Sequence, residues 1–196
     1  MKLIYLLLLF GCLISAGWAE LLLHEGFEGP IFPPAGWTIF TPEPGLGSGT
    51  WVLAGNSTNH WAQAHLVSYS TTPYEAYLCT PVYLLQGGDT VTLSFDNQGV
   101  AEKYLVIGTP LGGQRYLINT IPPSPPQFKP AHVTGSIIVP GSGSENCYIC
   151  WYIFVQTPYW LVLEDNVDNV SLTRTSASNQ TQIQPSTLGV IKSTYR

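Results

Sequence analysis

Leu-Leu-Leu-His-Glu-Gly-Phe-Glu-Gly-Pro-Ile-Phe-Pro-Pro-Ala-Gly-Trp occupies residues 21 to 37, and the fold is read outward from it. Its apolar start suits a strand. Proline at 30, 33 and 34 removes three backbone donors and glycine at 26, 29 and 36 relaxes the backbone, so a helix does not fit. The segment is expected to enter a sheet, leave it through a turn and plant Trp37 in a core.

Upstream, Lys2 precedes an apolar run from Leu3 to Ile14 and then Ser-Ala-Gly-Trp-Ala. This is the order of a secretory signal peptide over residues 1–19, cleaved before Glu20. The run is shorter than the ~20 apolar residues of a membrane span. A lipid-modified Cys12 is the weaker reading, because Phe10 is bulky where a small residue is usual. No second run of spanning length follows, so the mature chain is expected outside the cell or on its surface, without a membrane helix.

Composition narrows the fold class. Only 10% of residues are charged, while glycine (19), proline (16) and aromatics (12%) are plentiful, which suits short strands and many turns better than helices. Cleavage removes Lys2 and leaves twelve acidic against six basic side chains. Without a lysine or arginine cluster, nucleic acid is excluded as a partner.

Three cysteines remain, Cys79, Cys147 and Cys150. Cys147 and Cys150 lie in an apolar strand-like run. At about 3.3 Å per residue their Cα atoms stand roughly 10 Å apart with side chains on opposite faces, so they do not bridge each other. Three readings stay open: buried inert thiols, a bridge from Cys79 to one of the pair, or metal or redox chemistry, for which the sequence offers neither a second cysteine pair nor a helix N-terminus.

Along the chain, Thr38–Phe40 and Thr50–Leu53 read as strand pieces, Gly55–His65 as a polar stretch around Trp61, Ala64–Tyr69 as a short strand and Ala76–Leu85 as an apolar segment. Val91, Leu93 and Phe95 alternate with Thr92 and Ser94, the pattern of a half-buried strand. Tyr104–Gly108, Tyr116–Thr120, His132–Val139 and Cys147–Val155 follow, with Ile121–Pro130 as an extended proline-rich connection. Leu161–Leu163 and Val167–Thr173 close the domain as two pieces. The expected fold is all-β, a two-sheet antiparallel jelly-roll sandwich over residues 20–174, with 175–196 a polar linker or tail.

Phe-Glu-Gly followed by Pro-Pro-Ala-Gly-Trp at the front, Thr50-Trp51, Ala-Tyr-Leu-Cys-Thr-Pro at 76–81 and Val-Asp-Asn-Val-Ser-Leu at 167–172 together resemble the choice-of-anchor J or cleaved-adhesin domains of secreted bacterial proteins, relatives of the MAM sandwich. Tyr77 and Cys79 depart from the usual Trp and Ile. The resemblance implies a jelly-roll at the cell surface, and a structural calcium ion, with Glu28 and Asp168 at the acidic positions of the two end motifs and Asp165 as a third ligand. A calcium ion takes six to eight oxygen ligands.

Candidate ligand contacts are the rings with polar neighbours: Trp61, beside Asn59, His60 and Gln63, and the pair Tyr159 and Trp160 after Pro158. Such rings stack on the apolar faces of pyranoses. Trp37, Trp51 and Trp151 belong in the core. No nucleophile elbow, zinc-protease motif or phosphate loop is present, so no catalytic residue is assigned. The expected protein is a secreted, non-catalytic adhesion or carbohydrate-binding module whose partner is a surface glycan or an extracellular protein. The alternatives are a structural spacer domain, or a glycoside hydrolase using the end-motif acids.

Overall fold

The computed structural model describes residues 19–41, 47–68, 74–99, 101–118, 131–155 and 161–177, without the side chains of 47, 48, 68, 155 and 161–163. The signal segment, the proline-rich connection, Tyr159, Trp160 and the polar tail lie outside these residues. Twelve strands are described: β1 (Glu20–Glu25), β2 (Thr38–Phe40), β3 (Gly47–Gly55), β4 (His60–Ser68), β5 (Tyr74–Cys79), β6 (Tyr83–Gln86), β7 (Thr90–Gln98), β8 (Glu102–Ile107), β9 (Gln114–Leu117), β10 (Ala131–Ile138), β11 (Ser144–Val155) and β12 (Leu161–Thr175). They form two six-stranded antiparallel sheets, as the composition led us to expect.

The front sheet runs β10-β7-β12-β4-β3 and the back sheet β2-β5-β11-β8-β9. Each is built on one long strand that serves two partners along the same side. In the front sheet β12 pairs with β4 through residues 161–167 and with β1 through residues 170–174. In the back sheet β11 pairs with β6 through residues 144–147 and with β5 through residues 150–155.

The stretch 21–37 joins the two layers. β1 belongs to the front sheet and β2 to the back, and the turn between them drops two rings into the space between the sheets. Phe27 adopts φ 56°, a left-handed conformation that costs roughly 1–2 kcal/mol outside glycine. Its ring is buried with its centroid 5.3 Å from that of Trp37. Trp37 stacks on Trp151 at 5.8 Å, and Phe95 meets the edge of Trp151 at 5.6 Å, so one aromatic chain spans both sheets. Fully burying such side chains is worth about 1.5–3 kcal/mol each, which makes this chain the main brace of the sandwich. Trp37, Trp51 and Trp151 all lie in the core, as their apolar strand contexts require.

A second cluster covers the outer face of the back sheet, where Tyr77, Val106 and the Cys79–Cys150 disulfide are buried under Phe40, Tyr104, Tyr148 and Tyr152. Cys79 and Cys150 are direct register partners. Cys147 points the opposite way, into the inter-sheet core, as a free thiol. The reading with three free thiols is thereby replaced by the bridge, and opposite-face geometry holds for 147 and 150.

Two of the boundaries that differ from the sequence reading bear on the site. β12 runs unbroken through Glu164-Asp165-Asn166, where the polar run suggested a gap. The strand survives because alternation sends Glu164 and Asn166 outward, while Asp165 turns inward and accepts a hydrogen bond from Ala101 N. β4 begins at His60, so Trp61 sits on a strand rather than in the middle of a loop. Asn56 makes the turn before it, its Oδ1 accepting from Thr58 N, Thr58 Oγ1 and Asn59 N.

Candidate functional site

The outer face of the front sheet is paved with cross-strand polar pairs. Gln63 on β4 donates to Asn166 on β12 at 3.0 Å, His65 meets Glu164 at 3.2 Å, and Thr92 on β7 meets Ser136 on β10 at 2.9 Å. Such pairs are worth a few tenths of a kcal/mol each, and they leave the face wettable. At one end this pavement opens into a cleft of about 320 Å³.

The cleft exists because β12 changes partners there. β4 ends its pairing at Val167, β1 begins at Val170, and the β7 register shifts between Asp168 and Ser171. Asn169, at φ 49°, takes the extra position of this bulge. Asparagine tolerates that conformation better than a branched or bulky residue would. Bulges of this type re-aim side chains beside functional sites. Here Asn169 Nδ2 reaches across to Asp96 Oδ2 at 2.8 Å, and its backbone N binds Asp168 Oδ1 at 2.7 Å.

Three strands and one turn line the cleft. β12 supplies Asn166, Asp168 and Asn169; β7 supplies Asp96, Asn97 and Gln98; β4 supplies Trp61; the preceding turn supplies Asn59. Asn59 Nδ2 donates to Asp168 Oδ2 at 3.0 Å. Trp61 is half-buried, and its indole Nε1 is buried with no hydrogen-bond partner among the described residues. Asn97 is 5% exposed, donates to Gly99 O at 3.3 Å, and leaves Oδ1 without a partner among the described residues. The lining therefore combines one large ring, five amides and two carboxylates, with no lysine or arginine.

Burial alone would push the Asp96 carboxyl up. The hydrogen bonds from Asn169 and His132, with the field of His132, outweigh it and hold Asp96 below the ordinary carboxylate range. Asp96 and Asp168 are direct register partners on β7 and β12. A glycosidase pair needs one carboxyl kept protonated as the acid, and Asp96 is held in the opposite direction. Glu28 is lowered as well, first by the backbone N–H of His60 and then by the His60 ring, whose Nδ1 lies 3.1 Å from Oε2.

The three carboxylates expected to share a calcium ion do not come together. Glu28 and Asp168 meet the same turn from two sides, Glu28 through His60 and Asp168 through Asn59. Asp165 is fully buried on the other face of β12. It binds the Ala101 backbone, and a Cβ on Gly99 would come within 2.3 Å of its Oδ2. The nearby cation is Lys103, whose inward side chain is 7% exposed with Nζ 5.2 Å from the Phe95 ring centroid. Burial lowers the Lys103 pKa, and the charge of Asp165 opposes that shift. Among the described residues no three His, Cys, Asp or Glu side chains gather as a metal site. Glu28, Asp165 and Asp168 thus do not fit a three-carboxylate calcium centre, and Asp165 serves the core instead.

Of the three rings expected to contact ligand, Trp61 lines the cleft, while Tyr159 and Trp160 lie outside the described residues. The sequence reading missed Asp96, Asn97, Gln98 and Asn166. The outward phase of Asp96 and Gln98 was available in the alternation of β7, but nothing local said that β12 would bring Asp168 beside them.

No family model and no curated protein matches the chain. The likenesses are to solved adhesin and carbohydrate-binding domains. The chain is similar to the K3 cleaved adhesin domain of Lys-gingipain from Porphyromonas gingivalis, at 19% identity over 79% of this chain and 99% of that one, with a TM-score of 0.45. It is also similar to the CBM22-1-GH10 modules of endo-1,4-beta-D-xylanase 10B from Clostridium thermocellum, complexed with xylohexaose. That likeness has 16% identity over 80% of this chain and 28% of that one, with a TM-score of 0.49. A family 29 carbohydrate-binding module follows at 12% identity over 83% of this chain and 90% of that one, with a TM-score of 0.46. These likenesses are remote, and the site is read from its own geometry.

Proposed function

We propose that the protein is an extracellular adhesion or carbohydrate-binding module that holds a glycan in the cleft between β7, β12 and β4. The observation that carries this reading is the lining itself: one indole beside a row of amides and carboxylates. A sugar presents an apolar ring face and a girdle of hydroxyls, and the cleft offers a complement to each. Amides both donate and accept, so Asn166, Gln98 and Asn169 suit hydroxyls of unknown orientation. Two carboxylates and no basic residue favour neutral or amine-bearing sugars and repel uronates and sulfated sugars. The signal-like first nineteen residues support a secreted or cell-surface location in this reading. Among the described residues no helix is long and apolar enough to cross a membrane.

Titration with a panel of neutral, amino and acidic oligosaccharides, read by tryptophan fluorescence and calorimetry, tests this. Binding by a neutral or amino sugar, weakened at least tenfold in Trp61→Ala, supports the reading. Binding that is confined to acidic sugars, or that Trp61→Ala leaves intact, removes the cleft as the site. A spacer domain would bind none of the panel.

A further inference from the structure

On the same outer face, Ser94 and His132 extend from the cleft's Asp96 as a hydrogen-bonded line. Ser94 and Asp96 are two apart on β7 and so project from one face, and His132 is the register partner of Asp96 on β10. Ser94 Oγ lies 2.8 Å from His132 Nε2, and His132 Nδ1 lies 2.9 Å from Asp96 Oδ1. The nitrogens are used in the order that nucleophile activation needs.

Proton positions follow from the partners. Asp96 takes hydrogen bonds on both oxygens, from His132 on one and from Asn169 Nδ2 on the other, so it acts as an ionised acceptor. His132 Nδ1 must then carry the proton. In the neutral ring Nε2 is left as an acceptor, and the Ser94 hydroxyl donates to it. The bulge in β12 adds a fourth member, because Asn169 pins the Asp96 oxygen that does not face the histidine. Thr134 on β10 and Ser171 on β12 are the register partners of Ser94 on its two sides. Their outward positions place two hydroxyl donors within a strand spacing of the nucleophile.

We propose that Ser94 is a nucleophile activated by His132 and oriented by Asp96, and that the protein uses it to hydrolyse small, accessible carboxylic esters. In the first step Ser94 Oγ bonds to the ester carbonyl carbon while its proton passes to His132 Nε2. The carbonyl oxygen gains negative charge, and Thr134 and Ser171, the register partners of Ser94 on the flanking strands, supply hydroxyl donors there. The C–O bond then breaks, and the departing alkoxide takes the proton from Nε2 to leave as the alcohol. Water repeats the sequence on the acyl-serine: its proton goes to Nε2, its oxygen bonds to the carbonyl, and Ser94 leaves with that proton as the carboxylic acid is released. No oxidant, reductant or metal is consumed. The substrate class is an acyl ester on an exposed chain or sugar, because the three side chains lie on an open sheet face with the His132 side chain 63% exposed.

This proposal shares Asp96 with the glycan cleft, while Ser94 and His132 lie outside the cleft lining. The test uses the full chain with a tagged fluorophosphonate and with p-nitrophenyl acetate. The expected result is one labelled site, mapped to Ser94 by peptide mass spectrometry, and a burst of about one equivalent of nitrophenol. Ser94→Ala abolishes both, and His132→Gln slows both by roughly 10²-fold or more. No labelling of the wild-type protein, labelling elsewhere, or hydrolysis equal in folded Ser94→Ala and wild type would overturn it.

Discussion

Asp165→Asn removes the buried negative charge whose field raises the pKa of the buried Lys103 against the larger lowering by burial, while keeping the size of the side chain. Asp165 is fully buried and Lys103 is 7% exposed, so the remaining ammonium has little water to turn to. Neutralising one partner of a buried pair costs about 3–5 kcal/mol. The lower half of that range is expected, because the asparagine Oδ1 still accepts from Ala101 N. For a domain of this size a loss of about 3–4 kcal/mol lowers the melting midpoint by roughly 6–16 °C. Urea unfolding followed by tryptophan fluorescence measures it, with Lys103→Met and the double variant completing a cycle. Lys103→Met alone leaves Asp165 without its counter-charge and is costly too. The double variant costs less than the sum of the two singles, with a coupling of about 2 kcal/mol. The series run in calcium and in chelator gives the same differences. A loss below about 1 kcal/mol, or strict additivity in the cycle, would refute the charge pairing. A loss seen in calcium alone would restore Asp165 as a metal ligand.

Cys79→Ala with Cys150→Ala opens a crosslink spanning 71 positions and is expected to cost about 4 kcal/mol on loop-entropy grounds, read from the urea midpoint. Burial first, and then the charge of Glu145, push the Cys147 thiol up to about 11, so iodoacetamide is expected to label it after denaturation and not before. Asp96 has a folded-state pKa below the ordinary 3.8. Its contribution is full above that value and is lost as the pH falls through the lower folded-state value. Acid unfolding of Asp96→Asn is therefore expected to lack that segment of the stability curve. Trp151→Ala removes the ring that links Trp37 to Phe95 and is expected to cost about 3–5 kcal/mol.

The strand content and the core tryptophans were legible because they follow from local rules. Val91, Leu93 and Phe95 alternate with polar neighbours, and Trp37 follows prolines and glycines that leave it little choice but to end a turn. Asp165 was misjudged for a physical reason. A carboxylate in a strand reads as outward or as a break, and the inward carboxylate is met by the Ala101 backbone N–H, sixty-four positions earlier in the sequence. The cleft was legible only through Trp61, since its other walls come from β7 and β12, whose pairing no local pattern encodes. The Ser94, Asp96 and His132 line was invisible for the same cause. The spacing of Ser94 and Asp96 is ordinary, and His132 arrives opposite them only through the β10 register. Cys79 and Cys150 likewise needed the register of β5 on β11 before one bridge could be chosen.

β1 is the first described strand, and its only described partner is β12, the last one. In a chain emerging from its N-terminus, residues 20–25 therefore wait for nearly the whole domain to appear before they gain a hydrogen-bonded neighbour. The loop that this closure spans is long, and such non-local pairing slows collapse to the final state. Until then β12 also lacks part of one side, leaving a bare edge that can capture another copy of β1. Folding of this protein is thus expected to be a late, cooperative closing of a seam, with strand exchange between copies as its characteristic failure at high concentration.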